Sequence, residues 1–379
     1  MLVIRGYKVE LNLNNKQQTL AKKHAGTARF SYNWGLALKI KAFAEKQTDP
    51  TKKIPSAVDL HKELNKLKKT DFPWMYDVSK CAPQEALRDL DLAFANFYRG
   101  RQSGHPVGFP KFKSRKHGIG SFTLTGSIIV GNKQVRLPRL GRLRLKEAGY
   151  IPTSGVHILG ATVSHTAGHW FVSVQVRQEV EAPVEAVGPT IGVDLGINQM
   201  AVTSDGRRFA NPKALRKAEK ALKRLQRKVS RRQKGSKNRE KAKKQLAKAH
   251  YRISNIRSDA LHKATSAIVA KTKPASERPG KVVVEDLHVR GMLKNHKLAK
   301  AIADVGFGEF RRQMGYKTGW AGEELHVADR FYPSSKTCSG CGHKKEALRL
   351  TERTFKCEHC GLNLDRDLNA AFNLAALLK

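Results

Sequence analysis

The sequence is poor in acidic residues, in cysteine and in long apolar runs, and each shortage narrows the class of protein. It has 32 Asp and Glu against 72 Lys and Arg, a net charge of +40 on 379 residues. Its five cysteines include two closely spaced pairs, which in a reducing compartment indicate zinc rather than disulfides. No run of eighteen apolar residues and no signal-peptide pattern is present, so we expect a cytoplasmic protein without membrane attachment.

The excess of positive charge indicates the kind of partner. Forty unbalanced positive charges on a compact fold repel one another unless a polyanion neutralises them, so we expect a nucleic acid. An acidic membrane surface is the competing polyanion. Apolar residues make up 40% of the chain, which is enough to build a core in each of two or three domains.

Changes in residue pattern divide the chain into regions. Short alternating runs in residues 1–14 and 105–185 predict a β-rich module, interpreted as a small barrel. Helical spacing of apolar residues predicts a helical region over 15–104. The acidic stretch 178–189, with two prolines and a glycine, marks the main boundary. Strands and helices then mix over 186–379, so the predicted class is α/β multidomain.

Residues 211–270 are predicted to form a basic αα-hairpin hinged at Gly235-Ser236. Nineteen Lys and Arg stand against two Glu within 211–257, around two apolar helical stripes. A charge run is ordinarily a solvated face, but at this density we favour an arm that tracks a nucleic-acid duplex. Its candidate contact residues are Arg224, Arg231 and Arg232.

Weaker candidates for nucleic-acid contacts lie in the amino-terminal half. Lys80 and Gln84 are four residues apart on one helix face and could meet a phosphate or a base edge, with a solvated face as the ordinary alternative. Lys111 and Lys113 alternate with aromatic residues, which suits phosphate contact and base stacking. Half-buried strand aromatics are an equally common reason for such a pattern.

The most specific pattern is a pair of C-x2-C motifs separated by fifteen residues. Each pair is followed by glycine, as the turns around a tetrahedral zinc ion require, and four thiolates close the site, so we expect a structural role. His343 and His359 are possible substitute ligands. Cys81 stands apart and is interpreted as a buried structural thiol. The predicted zinc ligands are Cys338, Cys341, Cys357 and Cys360.

Three carboxylates form the candidate catalytic set. Asp194 interrupts an apolar strand, Glu285 ends another, and Asp367 lies near the start of the last predicted helix. Each has a structural alternative, since Asp194 could pair with an arginine, Glu285 could simply end its strand, and Asp365 or Asp367 could cap the helix. Taken together, strand-Asp, strand-Glu and helix-Asp in this order are the arrangement of ribonuclease H-like nucleases.

Phosphodiester hydrolysis explains why carboxylates are needed. Two hard cations about 4 Å apart can make a water more acidic and stabilise the leaving oxyanion. Magnesium and manganese prefer oxygen ligands, so carboxylates must converge from separate elements. We therefore expect Mg²⁺ or Mn²⁺ at Asp194, Glu285 and Asp367, and a raised pKa for at least one of them without metal.

The motifs together resemble TnpB proteins, transposon-encoded relatives of the type V CRISPR effectors with a RuvC-like nuclease domain split by a zinc ribbon. The resemblance spans nearly the whole chain. It rests on GTARFSYNW (26–34), FPKFK (109–113), GVDLG (192–196), VEDL (284–287) followed by Gly291-Met292, YPSSKTCSGCG (332–342) and DRDLNAAFN (365–373).

The resemblance implies an RNA-guided DNA endonuclease of a prokaryotic transposon, linked to transposition and DNA recombination and associated with the nucleoid when it is bound to DNA. Its expected partners are a guide RNA from the transposon end and double-stranded target DNA read beside a short motif. A transposase encoded alongside is a possible further partner. The resemblance implies a wedge barrel (1–14 and 105–185), a recognition region (15–104) containing Tyr32 as a weak contact candidate, and a RuvC-like domain (186–379) with a zinc ribbon (330–363).

The resemblance also carries the catalytic roles onto Asp194, Glu285 and Asp367. Asp367 is preferred because it precedes Asn369 in an Asp-x-Asn pattern, and Asp365 is the second choice. Two other functions compete with a guided nuclease. One is an RNA-guided regulator that binds without cutting, which we would expect to lack a carboxylate of the three. The other is a structure-specific nuclease or transposase that works without RNA.

Overall fold

The computed structural model describes residues 1–104, 107–349 and 351–378, and the chain divides into two compact units, Met1–Glu181 and Ala182–Lys379. Residue 105, where the second segment of the predicted barrel begins, lies outside the described residues. In the described part of the chain, no helix is long and apolar enough to cross a membrane.

The first unit contains a seven-stranded antiparallel sheet. Its strands pair in the order β2-β6-β7-β1-β5-β4-β3. The end strands β2 and β3 are not paired with each other within the described ranges, so closure into a barrel stays a prediction. The strands are β1 (Leu2–Asn12), β2 (Ser121–Leu124), β3 (Ile129–Val130), β4 (Gln134–Leu137), β5 (Gly141–Leu145), β6 (Val156–Thr166) and β7 (His169–Glu179).

Three long helices share a core with this sheet, which confirms the helical pattern seen in the sequence. They are α1 (Asn15–Thr48), α2 (Ala57–Thr70) and α3 (Cys81–Gln102). Asn14 and Gln17 form a capping box that starts α1, because each side chain accepts a backbone N–H of the other residue. Leu87 and Leu90 of α3 are fully buried, as their helical spacing indicates.

The second unit is built on a mixed five-stranded sheet in the order β10-β9-β8-β11-β12, in which β8, β11 and β12 are parallel. A small two-stranded sheet, β13 with β14, accompanies it. The elements are β8 (Ile191–Asp194), β9 (Gln199–Thr203), β10 (Arg208–Ala210), α4 (Ala214–Ser230), α5 (Lys237–Val269), β11 (Lys281–Glu285), α6 (Val289–Met292), α7 (Ala299–Val305), α8 (Phe307–Ala321), β12 (Glu324–Ala328), β13 (Thr354–Lys356), β14 (Asn363–Asp365) and α9 (Arg366–Ala376).

Helices cover both faces of the parallel strands, which explains why these strands are continuous apolar runs. Val282 and Val284 of β11 join one core with residues of α5 and α8, while Val283 between them packs with Leu374 of α9. Gly192 in β8 has no side chain because a Cβ there would lie 2.0 Å from the Ala371 carbonyl oxygen of α9. The glycine therefore allows the backbone of α9 to lie directly against β8.

The basic segment forms the predicted αα-hairpin. Helices α4 and α5 are joined by a turn in which Gly235 has a positive φ of 85°. Leu222 and Ile253 are buried in the seam between the two helices, and the basic side chains lie on the outside.

Candidate active site

The structure brings the three predicted carboxylates to one edge of the second sheet. Asp194 is the last residue of β8 and Glu285 the last residue of β11, and these strands are parallel neighbours. Side chains at the carboxyl ends of adjacent parallel strands meet at the same edge, which is where α/β proteins commonly place their sites. Asp367 lies in the first turn of α9, the helix that packs on β8.

The pKa shifts of two of these groups show that the carboxylates interact strongly. Burial, followed by the charges of Glu285 and Asp367, raises the pKa of Asp194 well above its usual range, and Arg366 opposes the shift. Burial also raises the pKa of Glu285, against a hydrogen bond from Ser334, and the charge of Asp367 adds to the increase. The pocket is therefore short of positive charge, which a divalent cation bound by oxygen ligands would supply.

The carboxylates do not form one closed ligand shell. Over the described residues, the four cysteines are the only group of three or more His, Cys, Asp or Glu side chains close enough to hold a single ion. The spacing of Asp194, Glu285 and Asp367 is therefore more open than that of the thiols. An open set leaves room for water and substrate oxygens as further ligands.

Asp365, the second choice from the sequence, is occupied in a structural role. Its Oδ1 accepts the backbone N–H groups of Asp367 and Leu368 at 3.1 Å each, which caps the start of α9. Its other oxygen lies 3.3 Å from the Arg208 guanidinium. The Asp367 carboxylate, by contrast, is contacted by Arg366 at 3.4 Å.

Several residues that surround the carboxylates were not identified as site residues from the sequence. Ser334 Oγ donates a hydrogen bond to Glu285 Oε1 at 2.8 Å. Asn373 Nδ2 donates to the backbone oxygens of Ser334 and Thr337 at 2.7 and 2.6 Å, and the Tyr332 hydroxyl donates to the Asn373 oxygen at 3.1 Å. The signal that could have revealed this network is an asparagine repeated four residues apart on the apolar face of α9.

The four cysteines form a compact cluster. Sγ atoms of Cys338 and Cys360 are 3.6 Å apart, as are those of Cys341 and Cys357, and all four lie within 4.8 Å of one another. A zinc ion bound tetrahedrally at about 2.3 Å from each sulfur requires sulfur separations of about 3.8 Å. The geometry and the thiol donors thus fit zinc. His343 and His359 stack on each other outside this ligand group.

Backbone contacts prepare the cluster for metal binding and tie it to α9. The backbone N–H groups of Cys360 and His359 lower the pKa of the Cys357 thiol to about 6, against a smaller effect of burial. Against the backbone N–H of His343, burial and hydrogen bonds with the other three thiols raise the pKa of Cys341 to about 12. Thiolate is the form that binds zinc. Asn369 of α9 donates to the Thr337 carbonyl at 2.7 Å and accepts the Ser339 N–H at 3.0 Å, on either side of Cys338.

The candidate nucleic-acid residues fall into exposed and buried groups. Tyr32 is only 5% exposed, and the Lys113 ammonium lies 3.8 Å from its ring centre, so Tyr32 packs in the core instead of offering a face to a base. Gln84 is half-buried on α3. The exposed candidates are Lys80, Lys111 and Lys113 in the first unit and Arg224, Arg231 and Arg232 in the second.

Three family models match successive parts of the chain. One described as "Probable transposase" covers residues 173–296, and one described as "Cas12f1-like, TNB domain" covers 307–374. The third, described as "Helix-turn-helix domain", covers residues 1–48. In the structure those residues form the strand β1 and the single helix α1, not a pair of helices.

Relatives match over almost the whole chain. A Streptomyces pristinaespiralis protein named "Putative RNA-guided DNA endonuclease" is 36% identical over 99% of this chain and 89% of its own length. The chain belongs to the TnpB family. Another relative, "Putative RNA-guided DNA endonuclease InsQ" of Escherichia coli (strain K12), is 31% identical over 98% of this chain and 92% of its own length.

The fold also resembles that of a solved effector. The structure titled "Structure of the mini-RNA-guided endonuclease CRISPR-Cas_phi3" matches with a TM-score of 0.51 at 9% identity, over 99% of this TnpB-family chain and 92% of that one. At this identity the likeness concerns the fold alone. It supports a mixed α/β fold.

Proposed function

We propose that this chain is an RNA-guided DNA endonuclease whose catalytic residues are Asp194, Glu285 and Asp367. The observation that carries the proposal is the convergence of these three carboxylates, from two parallel strands and one helix, at a buried site where Arg366 only partly balances their charge. The names of the full-length relatives support the guided cleavage of DNA.

The carboxylates would hold magnesium or manganese in a two-cation arrangement, because their open spacing suits ligands divided between ions. When bound, these cations supply an acidified water and neutralise charge on the scissile phosphate. Ser334 fixes one oxygen of Glu285 and leaves the other oxygen for a cation. Zinc at the four cysteines has a separate, structural role, since four protein ligands leave no open position.

The remaining parts of the chain are proposed to hold the nucleic acids. The antiparallel sheet of the first unit would act as the wedge (1–14 and 105–185) and helices α1–α3 as the recognition region (15–104). The RuvC-like domain (186–379) would include the basic hairpin 211–270 and the zinc ribbon 330–363. The exposed arginines of the hairpin would contact phosphates of the guide RNA or target DNA. Cleavage of DNA next to a short motif would take place in the prokaryotic cytoplasm.

Purification with bound RNA tests the proposal. The copurifying RNA is sequenced, and a plasmid carrying a matching target is incubated with the protein and Mg²⁺. We expect cleavage at the matched site, and no cleavage with EDTA or after RNase treatment of the protein. Cleavage that survives RNase would indicate a nuclease without a guide, and site-specific binding without cleavage would indicate a regulator.

A further inference from the structure

Phe331 is the most exposed large apolar side chain among the described residues, with 86% of its surface open to solvent. An isolated exposed phenylalanine adds no packing energy to the fold, because burial is the source of its stabilisation. Its neighbours along the chain are engaged in contacts, so the exposure is specific to this one side chain.

Hydrogen bonds and an ion pair hold Phe331 and the residues before and after it in place. The Phe331 backbone N–H donates to Asp329 Oδ1 at 2.8 Å, which holds the turn. Arg330 before it pairs with Asp286 at 2.5 Å, and the Tyr332 hydroxyl after it donates to the Asn373 carbonyl of α9. The exposed ring therefore belongs to a loop whose backbone is held by these contacts.

Both ends of the same loop lie next to Glu285. Ala328, the last residue of β12, lies beside Glu285 in the register of the parallel strands. Ser334, six residues later, returns to donate its hydrogen bond to the Glu285 carboxylate. Phe331 is midway along the chain between these two points, so its backbone lies three residues from each contact with Glu285.

Two arginine side chains are held next to the segment that carries the ring. Arg330 and Arg311 both pair with Asp286, the residue that follows Glu285, at 2.5 Å each. The carboxylates of Asp286 and Asp329 balance the charge of these two guanidinium groups, which have further N–H donors that can contact a phosphate. An aromatic face next to cationic side chains is the combination with which proteins bind single-stranded nucleic acid, through base stacking and phosphate contacts.

We propose that Phe331 is a stacking platform for an unpaired base of the strand that enters the carboxylate pocket. This inference rests on the proposed nuclease function and assigns Phe331 as a positioning residue. The partner is a single strand because both faces of a base within a duplex are already covered by its neighbours. Stacking accepts any base, so the platform would position the strand without reading its sequence.

Single-turnover cleavage of the guided target by the RNA-bound protein is the first test. We expect Phe331→Ala to slow cleavage about 10- to 100-fold, the range expected for loss of one stacked base. Phe331→Trp should stay within about 3-fold of wild type, while Phe331→Leu, which is apolar but lacks a π face, should be slowed like the alanine variant. Val187→Ala, which shortens another highly exposed apolar side chain of the same unit, is the control and should cleave normally.

Substrates that lack one base separate stacking from a general loss of fold. Removing single bases along the cleaved strand should slow the wild-type protein at one position near the cut, and the same substrate should not slow Phe331→Ala any further. Equal slowing of both proteins at every position would overturn the platform. So would wild-type rates for Phe331→Ala, or for Phe331→Leu.

A binding measurement makes the inference independent of cleavage. A single-stranded oligonucleotide with 2-aminopurine is added to the RNA-bound protein in Ca²⁺, and its fluorescence should be quenched by wild type and by Phe331→Trp but not by Phe331→Ala. If wild type fails to cleave any target but shows this Phe331-dependent quenching, the nuclease proposal fails and the platform stands. If wild type cleaves and quenching is the same in all variants, the platform fails alone.

Discussion

The second unit contains two sites suited to metals, and they differ in how their ligands are spaced. The four thiols already lie at the separations that a tetrahedral zinc ion requires, and backbone N–H groups lower the pKa of Cys357. The three carboxylates are spread more openly, and burial together with mutual repulsion raises the pKa values of Asp194 and Glu285. One site holds its ligands at the separations that its ion requires, and the other holds its ligands further apart; each contains a group whose pKa is raised without a cation.

The proposed roles of the two sites account for the difference in spacing. A structural ion stabilises the fold most when its ligands need no rearrangement, because less conformational entropy is lost on binding. A catalytic site must leave positions open for water and phosphate, and its uncompensated charge can then be matched by cations and substrate together. Asn369 and Asn373 of α9 connect the two sites through backbone groups on either side of Cys338.

The largest expected effect is on chemistry. Asp194→Ala should reduce guided DNA cleavage by at least about 1,000-fold, because it removes a ligand from the open site, while RNA binding stays close to wild type. Cleavage assays and RNA filter binding measure the two properties separately.

Asp365→Ala is the matched control, one more acid of the same region. It should keep cleavage within about 10-fold and lower the unfolding free energy by about 1 kcal/mol, through loss of the α9 cap. If Asp365→Ala were inactive and Asp367→Ala active, the two acids would exchange roles.

The next effect concerns folding. Cys338→Ser should lower the zinc content below one ion per chain and the melting temperature by more than about 10 °C, because structural zinc contributes directly to the folding free energy. Metal analysis and thermal unfolding measure both. Cys81→Ser changes a thiol in the other unit and should keep a full zinc ion. An unchanged melting temperature after complete zinc removal would show that the ribbon folds without metal.

A smaller change in melting temperature, an increase instead of a decrease, should come from replacing one of the buried carboxylates. The raised pKa of Asp194 stabilises the fold below the ordinary carboxyl pKa, and this contribution is lost as the pH rises through the raised value. Without divalent ions at pH 7.5, Asp194→Asn should therefore melt about 2–6 °C above wild type, and the gap should close near pH 4 and in Mg²⁺.

Asp205→Asn supplies the contrast for that measurement. Despite burial, the Arg207 guanidinium lowers the pKa of Asp205, so the ionised form stabilises the fold and the asparagine variant should melt below wild type at pH 7.5. A lower melting temperature for Asp194→Asn as well would mean that repulsion in the pocket is negligible.

The smallest effect is expected at Ser334. Removing its hydrogen bond to Glu285 with Ser334→Ala should slow cleavage about 3- to 10-fold, since one hydrogen bond is worth about 1 kcal/mol. Ser103→Ala, in the first unit, removes a serine hydroxyl at a helix end and should leave the rate unchanged. Equal rates for both variants would show that Glu285 is held by its strand alone.

Residues whose roles follow from local spacing could be predicted from the sequence. Cys338 and Cys341 are recognisable because a metal turn fixes their separation, and Asp194 because a charge inside an apolar strand needs a reason. The helices were predictable because their apolar stripes have a regular period. These signals depend only on near neighbours in the chain.

Contacts between distant segments could not be predicted in this way. Tyr32 is buried because Lys113, eighty-one positions further on, covers its ring, and no periodic pattern encodes that pairing. Ser334 meets Glu285 only because β12 runs beside β11 and its loop turns back. In the sequence, Phe331 cannot be distinguished from a buried apolar residue, and only the structure shows its exposure.

The position of the third carboxylate on α9 has a consequence for biosynthesis. Asp194 and Glu285 emerge from the ribosome first, and Asp367 follows only after the whole zinc-binding segment, a delay of several seconds at roughly 5–20 residues per second. A nascent chain therefore has no complete set of these acids until the first turn of α9 has been made. Under the proposed function, newly made protein would gain the means to cut DNA only after its cysteine-containing ribbon has been synthesised.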